Sequence, residues 1–216
     1  MKRTLFSVLA VIAFVTITNA QVKLGVKAGA NLADLTSSED DFEVENRLSF
    51  HFGGYLELLI TDRFSIQPEL IFSGQGAKAE YSETVEDFGF TYTYSYEDKV
   101  NLNYLNIPVL FKFSPTERFY IGGGPQAGVL LSAKNKFTYT FTGSGLSESE
   151  SGEEDIIDEL NQIDLSVAIG AGVELENGLN FSLRYNYGLT DIAEENDGDP
   201  VRNSVIQATA GFTFLK

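Results

Sequence analysis

Residues 104–113, YLNIPVLFKF, constrain the chain more than any other stretch. In an extended strand Leu105, Ile107, Val109, Phe111 and Phe113 share one side, while Tyr104, Asn106, Pro108, Leu110 and Lys112 share the other. One side is wholly apolar; the other carries a phenol, an amide and an ammonium group. In water the apolar side of such a strand turns inward. In hydrocarbon it turns outward, and the polar side must be enclosed by a sheet that closes on itself.

The same period of two recurs in eight segments: 22–32, 48–60, 64–78, 100–113, 119–133, 162–175, 179–190 and 204–214. With phases aligned, one face gathers 50 positions, from Val22 through Phe50, Leu70 and Ala133 to Phe214, and none is charged. The other face carries Lys23, Lys27, Lys112 and Arg184 against Glu57, Glu69, Asp164 and Glu174, so its charges sum to zero. Glycines such as Gly25, Gly29, Gly128 and Gly172 share that face and leave room for long neighbours. A close-packed apolar core does not accept eight ionisable groups, whereas the narrow lumen of a small barrel holds them when they pair. These eight residues are the candidate lumen charge network.

Short links at 61–63, 114–118 and 176–178, the last containing Asn177-Gly178, alternate with long ones at 33–47, 79–99, 134–161 and 191–203. Short turns at one end and long loops at the other predict an all-β fold, an eight-stranded antiparallel up-and-down transmembrane β-barrel. The long links hold 24 of the 31 acids and are expected as extracellular loops, with one turn of helix over 155–160. Pro68, Pro108 and Pro125 lie inside strands and predict bulges or irregular pairing, because each removes a ladder donor.

The N-terminus has the form of a secretory signal peptide: Lys2-Arg3, an apolar stretch over 5–17, and Thr18-Asn19-Ala20 before Gln21. The expected organisation is therefore a signal peptide over 1–20 and a barrel domain over 21–216. Removing Lys2 and Arg3 leaves 13 Lys+Arg against 31 Asp+Glu, a net charge of −18 that repels nucleic acid. With no Cys, disulfides and thiol chemistry are excluded.

Five motifs in order, LGVKAGANLADL (24–35), SIQPELIFS (65–73), YLNIPVLFKF (104–113), GGGPQAGVLL (122–131) and RYNYGLTDI (184–192), resemble those of the PorT-like outer-membrane β-barrel domain family. The resemblance implies an eight-stranded barrel in the cell outer membrane and carries no established activity with it. The family often has Glu where this chain has Asn106, so no carboxylate role is carried to that position.

No catalytic, cofactor-binding or metal-binding set emerges. Ser49, His51 and Glu57 share a face, but six residues of strand put Glu57 about 20 Å from His51, too far to orient its imidazole. The acidic runs lack the ligand spacing of a dedicated Ca²⁺ loop. The expected protein is a monomer that contacts outer-membrane lipid and serves a structural or interaction role, with an envelope protein as partner. A soluble periplasmic lipocalin-like barrel holding an apolar ligand is the alternative; a lipid-modifying barrel enzyme ranks third.

Overall fold

The computed structural model describes residues 22–36, 45–87, 90–143, 146–194 and 199–215; the expected signal peptide lies outside the described residues. Among the described residues nine strands follow in order: β1 (Val22–Thr36), β2 (Glu45–Leu59), β3 (Phe64–Asp87), β4 (Phe90–Phe113), β5 (Phe119–Gly143), β6 (Leu146–Asp155), β7 (Ile163–Glu174), β8 (Leu179–Gly188) and β9 (Arg202–Leu215). A 3-10 turn, Ile157–Glu159, falls where a helical turn is expected. All pairings between strands are antiparallel. β1 pairs with β2 from Val22↔Leu58 to Ala33↔Arg47 and with β9 from Leu24↔Leu215 to Thr36↔Arg202. Because β5 also pairs with β7, the ring β1-β2-β3-β4-β5-β7-β8-β9 closes with no free edge.

The chemistry of the turns follows their sequences. Gly178 adopts φ +95°, and Asn177 Oδ1 accepts from the Leu179 amide at 3.1 Å, so Asn-Gly closes the β7–β8 hairpin. Thr61 Oγ1 accepts from the Phe64 amide and Thr116 Oγ1 from the Phe119 amide, each at 3.0 Å, ordering the other two short turns.

Side-chain exposure shows which way the two faces point. Val26, Phe50, Phe52, Leu70, Ile107, Phe111, Ile169, Leu183 and Phe214 are exposed on the outside of the ring, while Lys27, Glu57, Glu69, Lys112, Asp164 and Arg184 are buried inside it. A lipocalin-like barrel needs an apolar interior and a polar exterior, so that alternative is overturned. Ala133, expected outside, is fully buried. The register shifts from Tyr104↔Leu130 to Asn103↔Ser132, leaving Leu131 as an extra residue in β5 and exchanging the two faces beyond it.

Two further expectations change. Residues 79–99 and 134–155, expected within loops, are mostly strand: β3, β4 and β5 run on past the ring, and β6 folds back on β5 from Gly143↔Leu146 to Lys134↔Asp155. Thr, Tyr, Phe and Val alternate with Ser and Glu there, giving high strand propensity without an apolar side facing a core. At the prolines the pairing is irregular, as expected, but no bulge forms. Around Pro68, Pro108 and Pro125 individual ladder positions drop out, but the pairs on either side, Pro68↔Val109 and Ile71↔Asn106 for instance, keep one register.

Glu153 on β6 receives hydrogen bonds from Lys134 and from Lys136, whose Nζ lies 2.7 Å from Oε2, and these hold its carboxyl at about 2, below its ordinary 4.5. A depressed folded value means that the stabilisation of the β5–β6 hairpin is complete above about 4.5 and is lost as pH falls through about 2. Side-chain carboxyl NMR titration should therefore find Glu153 still ionised at pH 3.5. Amide protection of β6 should decline gradually as pH falls from about 4.5 towards about 2, and in Glu153→Gln that decline should be absent, with only slightly lower protection near neutral pH, because the pair is exposed.

Candidate functional site

The interior of the ring is a polar column built in layers. At the short-turn end Lys112, from β4, donates to Glu174 Oε1 at 2.6 Å and lies 2.9 Å from Glu57 Oε1, while its Nζ sits 4.1 Å from the centre of the Tyr120 ring. Lys23 reaches the same two carboxylates, at 2.9 Å from Glu174 and 3.6 Å from Glu57, and Ser65 donates to Glu57 at 2.5 Å. One turn-length higher, Glu69 accepts from both nitrogens of the Arg184 fork at 2.8 and 3.0 Å and from Lys27 at 2.7 Å. Such a two-pronged, charge-assisted arrangement is the strong form of an ion pair.

Gln67 joins the two groups: its Nε2 donates to Glu69 at 2.6 Å and its Oε1 accepts from Lys112 at 3.0 Å. Seven of the eight sequence-predicted charges thus form one connected set. Asp164 does not join it. Its carboxylate, near the wide end, accepts from Thr190 at 2.9 Å and Asn203 at 3.0 Å, neutral donors both.

Above the charges, His51 lies between Asn31 and Thr209. Asn31 Nδ2 donates to Gly74 O and Ser73 Oγ, so its Oδ1 is the acceptor for His51 Nδ1 at 2.6 Å, and Nε2 accepts from the Thr209 hydroxyl at 3.0 Å. Glu57 takes no part. Glycines on this face make the packing possible: a Cβ at Gly25 would lie 2.3 Å from the Tyr55 ring, and one at Gly172 would lie 2.6 Å from that of Tyr120. The gap beside Leu110, Tyr120 and Arg184 is about 10 Å³, room for about one water at most, and a recess of about 80 Å³ opens at the short-turn end beside Lys23, Glu57 and Glu174. The wide end is closed by Leu102, Tyr104, Leu130, Ala133 and Ile192, against which Ile156, Ile157 and Leu160 pack.

Sequence reasoning brought the charged residues together but missed Gln67, which carries no charge to mark it. It also missed the apolar cap, although Leu102 and Leu130 stand at inward-facing positions of β4 and β5. Beyond the cap, the four-stranded extension of β3–β4–β5–β6 was missed because its acids were read as loop residues. The alternation of Tyr with Thr and Ser over 91–96 was the available signal.

A family model described as outer membrane protein beta-barrel domain matches residues 18–194. Among solved structures, the chain is similar to Ail, the attachment invasion locus protein of Yersinia pestis, at 15% identity over 90% of this chain and 99% of that one, with a TM-score of 0.44. It is also similar to Neisserial surface protein A, at 14% identity over 88% and 97% with a TM-score of 0.41. A third is OprG from Pseudomonas aeruginosa, at 12% identity over 92% and 98% with a TM-score of 0.40. No curated protein matches the sequence.

Glu69 and Asp164 are both buried carboxylates with opposite surroundings, and their amides should separate them. Glu69→Gln leaves Lys27 and Arg184 facing each other without an anion and should lower stability by about 3–5 kcal/mol. Asp164→Asn loses no ion pair, and its new amide can serve the otherwise unbonded Asn203 Oδ1, so it should cost less than about 1 kcal/mol. Urea unfolding of both variants in lipid vesicles measures the difference.

Proposed function

The chain belongs to the outer membrane protein beta-barrel domain family, and we propose that it works there as a monomeric, non-conducting and non-enzymatic barrel that presents an acidic sheet and loops outside the cell to a protein partner of the envelope. That it is an integral outer-membrane barrel follows from the family and from the ring of eight strands with its apolar exterior, which meets lipid. The order of the five motifs supports, on this reading, a PorT-like member of the family.

The observation that carries the proposal is the filled interior. Arg184, Lys27, Glu69, Gln67 and Lys112 bond to one another across the barrel, and an ion crossing it would have to break several charge-assisted hydrogen bonds at once. The outer mouth is covered by the apolar cap. Both nitrogens of His51 are engaged within the column, which leaves that imidazole no free nitrogen to act as a base. What remains available outside is the extension and the long acidic connections. With the N-terminus on the periplasmic side, the three short turns fall in the periplasm and the extension outside the cell.

Planar-bilayer recording of the purified barrel should show no stable unitary current, and outer-membrane lipid A from cells carrying His51→Ala should match that of the unaltered strain. Reproducible conductance would remove the non-conducting reading. A change in acylation that depends on His51 would restore the lipid-modifying one.

A further inference from the structure

The extension past the ring has two faces of opposite character. Residues paired across its strands share a face, so Tyr81↔Tyr96↔Tyr139, Glu83↔Tyr94↔Phe141↔Glu148 and Val85↔Tyr92 lie together, with Phe90, Phe137 and Leu146 on the same side. The opposite side carries Ser82, Thr84, Thr93, Ser95, Thr140 and Ser149, linked by cross-strand hydroxyl contacts of 3.2–3.3 Å. The aromatic rows are open to solvent: Tyr81 is 62% exposed, Phe90 55% and Leu146 64%. Tyr94 and Tyr92 pack on Phe141 with ring centres 5.2 and 6.1 Å apart, forming a continuous platform.

Charge is divided between the faces as well. Among the residues whose side chains are described, the carboxylates on the aromatic face, Glu83, Asp98, Glu148, Glu150 and Glu154, are without a Lys or Arg beside them on that face. Lys78, Lys99, Lys134 and Lys136 all sit on the hydroxyl side. At the base of the platform Asp98 Oδ1 and Asn135 Oδ1 are buried acceptors that receive no hydrogen bond among the described residues. Aromatic rings bordered by carboxylates, with donor-less acceptors at one end, favour a ligand that brings N–H donors and positive charge. Guanidinium and ammonium groups stack on such rings, with Arg favoured.

Resting on the display reading above, we propose that this aromatic face is the docking surface for an extended, arginine- and lysine-bearing polypeptide segment of a partner protein. Its basic side chains lie on Tyr81, Tyr94, Tyr96 and Tyr139 and donate to Glu83, Asp98, Glu148 and Glu150. A neutral glycan would use the rings but leave the carboxylates without counter-charge.

The test uses the full mature chain in lipid nanodiscs, at about physiological salt so that long-range attraction is screened. A ten-residue oligoarginine peptide is the probe, with decaglutamate and maltohexaose for comparison. Oligoarginine alone should bind. Tyr94→Ala/Tyr96→Ala/Tyr139→Ala should weaken it at least about tenfold, from roughly 0.5–1 kcal/mol per exposed ring contact. Tyr94→Phe/Tyr96→Phe/Tyr139→Phe should retain binding, and Thr93→Ala/Ser95→Ala/Thr140→Ala on the other face should leave it within about twofold. The proposal is overturned if the three-alanine aromatic variant binds as well as the unaltered protein, if the hydroxyl-face variant loses as much, or if maltohexaose binds instead. Each variant should keep its heat-modifiable gel mobility, since none touches the ring. Display is tested separately by labelling Thr84→Cys on intact cells with a membrane-impermeant maleimide. Failure there, with peptide binding intact in nanodiscs, would remove the display reading and leave the docking surface standing.

Discussion

Inside a bilayer no water is available to the backbone, so each N–H and C=O of this chain must find its partner within the chain itself. A sheet meets that demand only by closing, and here the closing seam is β1 against β9, with β1 paired along most of its length on both sides. Where pairing lapses, side chains take over. Between β2 and β3 the register shifts from Asn46↔Ala77 to His51↔Ser73. There Gly74 O accepts from Ser49 Oγ at 2.6 Å and Asn31 Nδ2 at 2.8 Å, and Gln75 O accepts from Arg47 at 2.7 Å. Prolines are tolerated for the same reason: each removes a donor locally while the strand on its other side continues, as Pro125↔Val167 does.

Closure at eight strands fixes the width of the interior, and the width decides its chemistry. Side chains from opposite walls must touch, so a charge on one wall has to be answered from another. Glu69 on β3 is answered by Arg184 on β8 and Lys27 on β1, and Lys112 on β4 by Glu57 on β2 and Glu174 on β7. These contacts tie together strands remote in sequence. The connected set, with four cations and three anions, carries one net positive charge. Asp164 balances the interior sum without touching the set, held instead by hydroxyl and amide donors.

The barrel was legible in the sequence wherever one face meets hydrocarbon, because the penalty for a charge there is severe and leaves a clean alternation around residues such as Phe50, Ile107 and Phe181. Legibility fails at three kinds of place. At Leu131 one extra residue reverses the faces, a change that hydropathy does not mark, so Ala133 was placed outside. Gln67 is neutral, so no charge marks it in the sequence, yet it bonds both charged groups. Beyond the ring both faces of β3–β4–β5–β6 meet water, so alternation of apolar with polar gives way to alternation of aromatic with hydroxyl. The acids among them read as loop although Tyr, Thr and Phe favour strand.

The same strands therefore reverse their chemistry along their length, and the reversal has a physical level. Within the ring the outward face of β4 is Leu105, Ile107, Val109 and Phe111, and the inward face includes Asn106 and Lys112. Past the ring the outward face becomes Lys99, Glu97 and Ser95, and the inward one Tyr96, Tyr94 and Tyr92. The outward change is imposed by the solvent, since hydrocarbon ends and water begins. The inward change follows from the loss of opposite walls: without a facing strand the face is open to water, which solvates carboxylates such as Glu83 and Glu148, so a cation such as Lys112 is no longer required from another wall. Leu102, Tyr104 and Leu130 mark the crossover, where the interior is still narrow enough to be packed and the residues arriving from 156–160 and from Ile192 supply apolar partners. That layer separates a column whose polar groups are bonded to one another from a sheet whose aromatic face, among the described residues, is acidic, without basic residues and open to solvent.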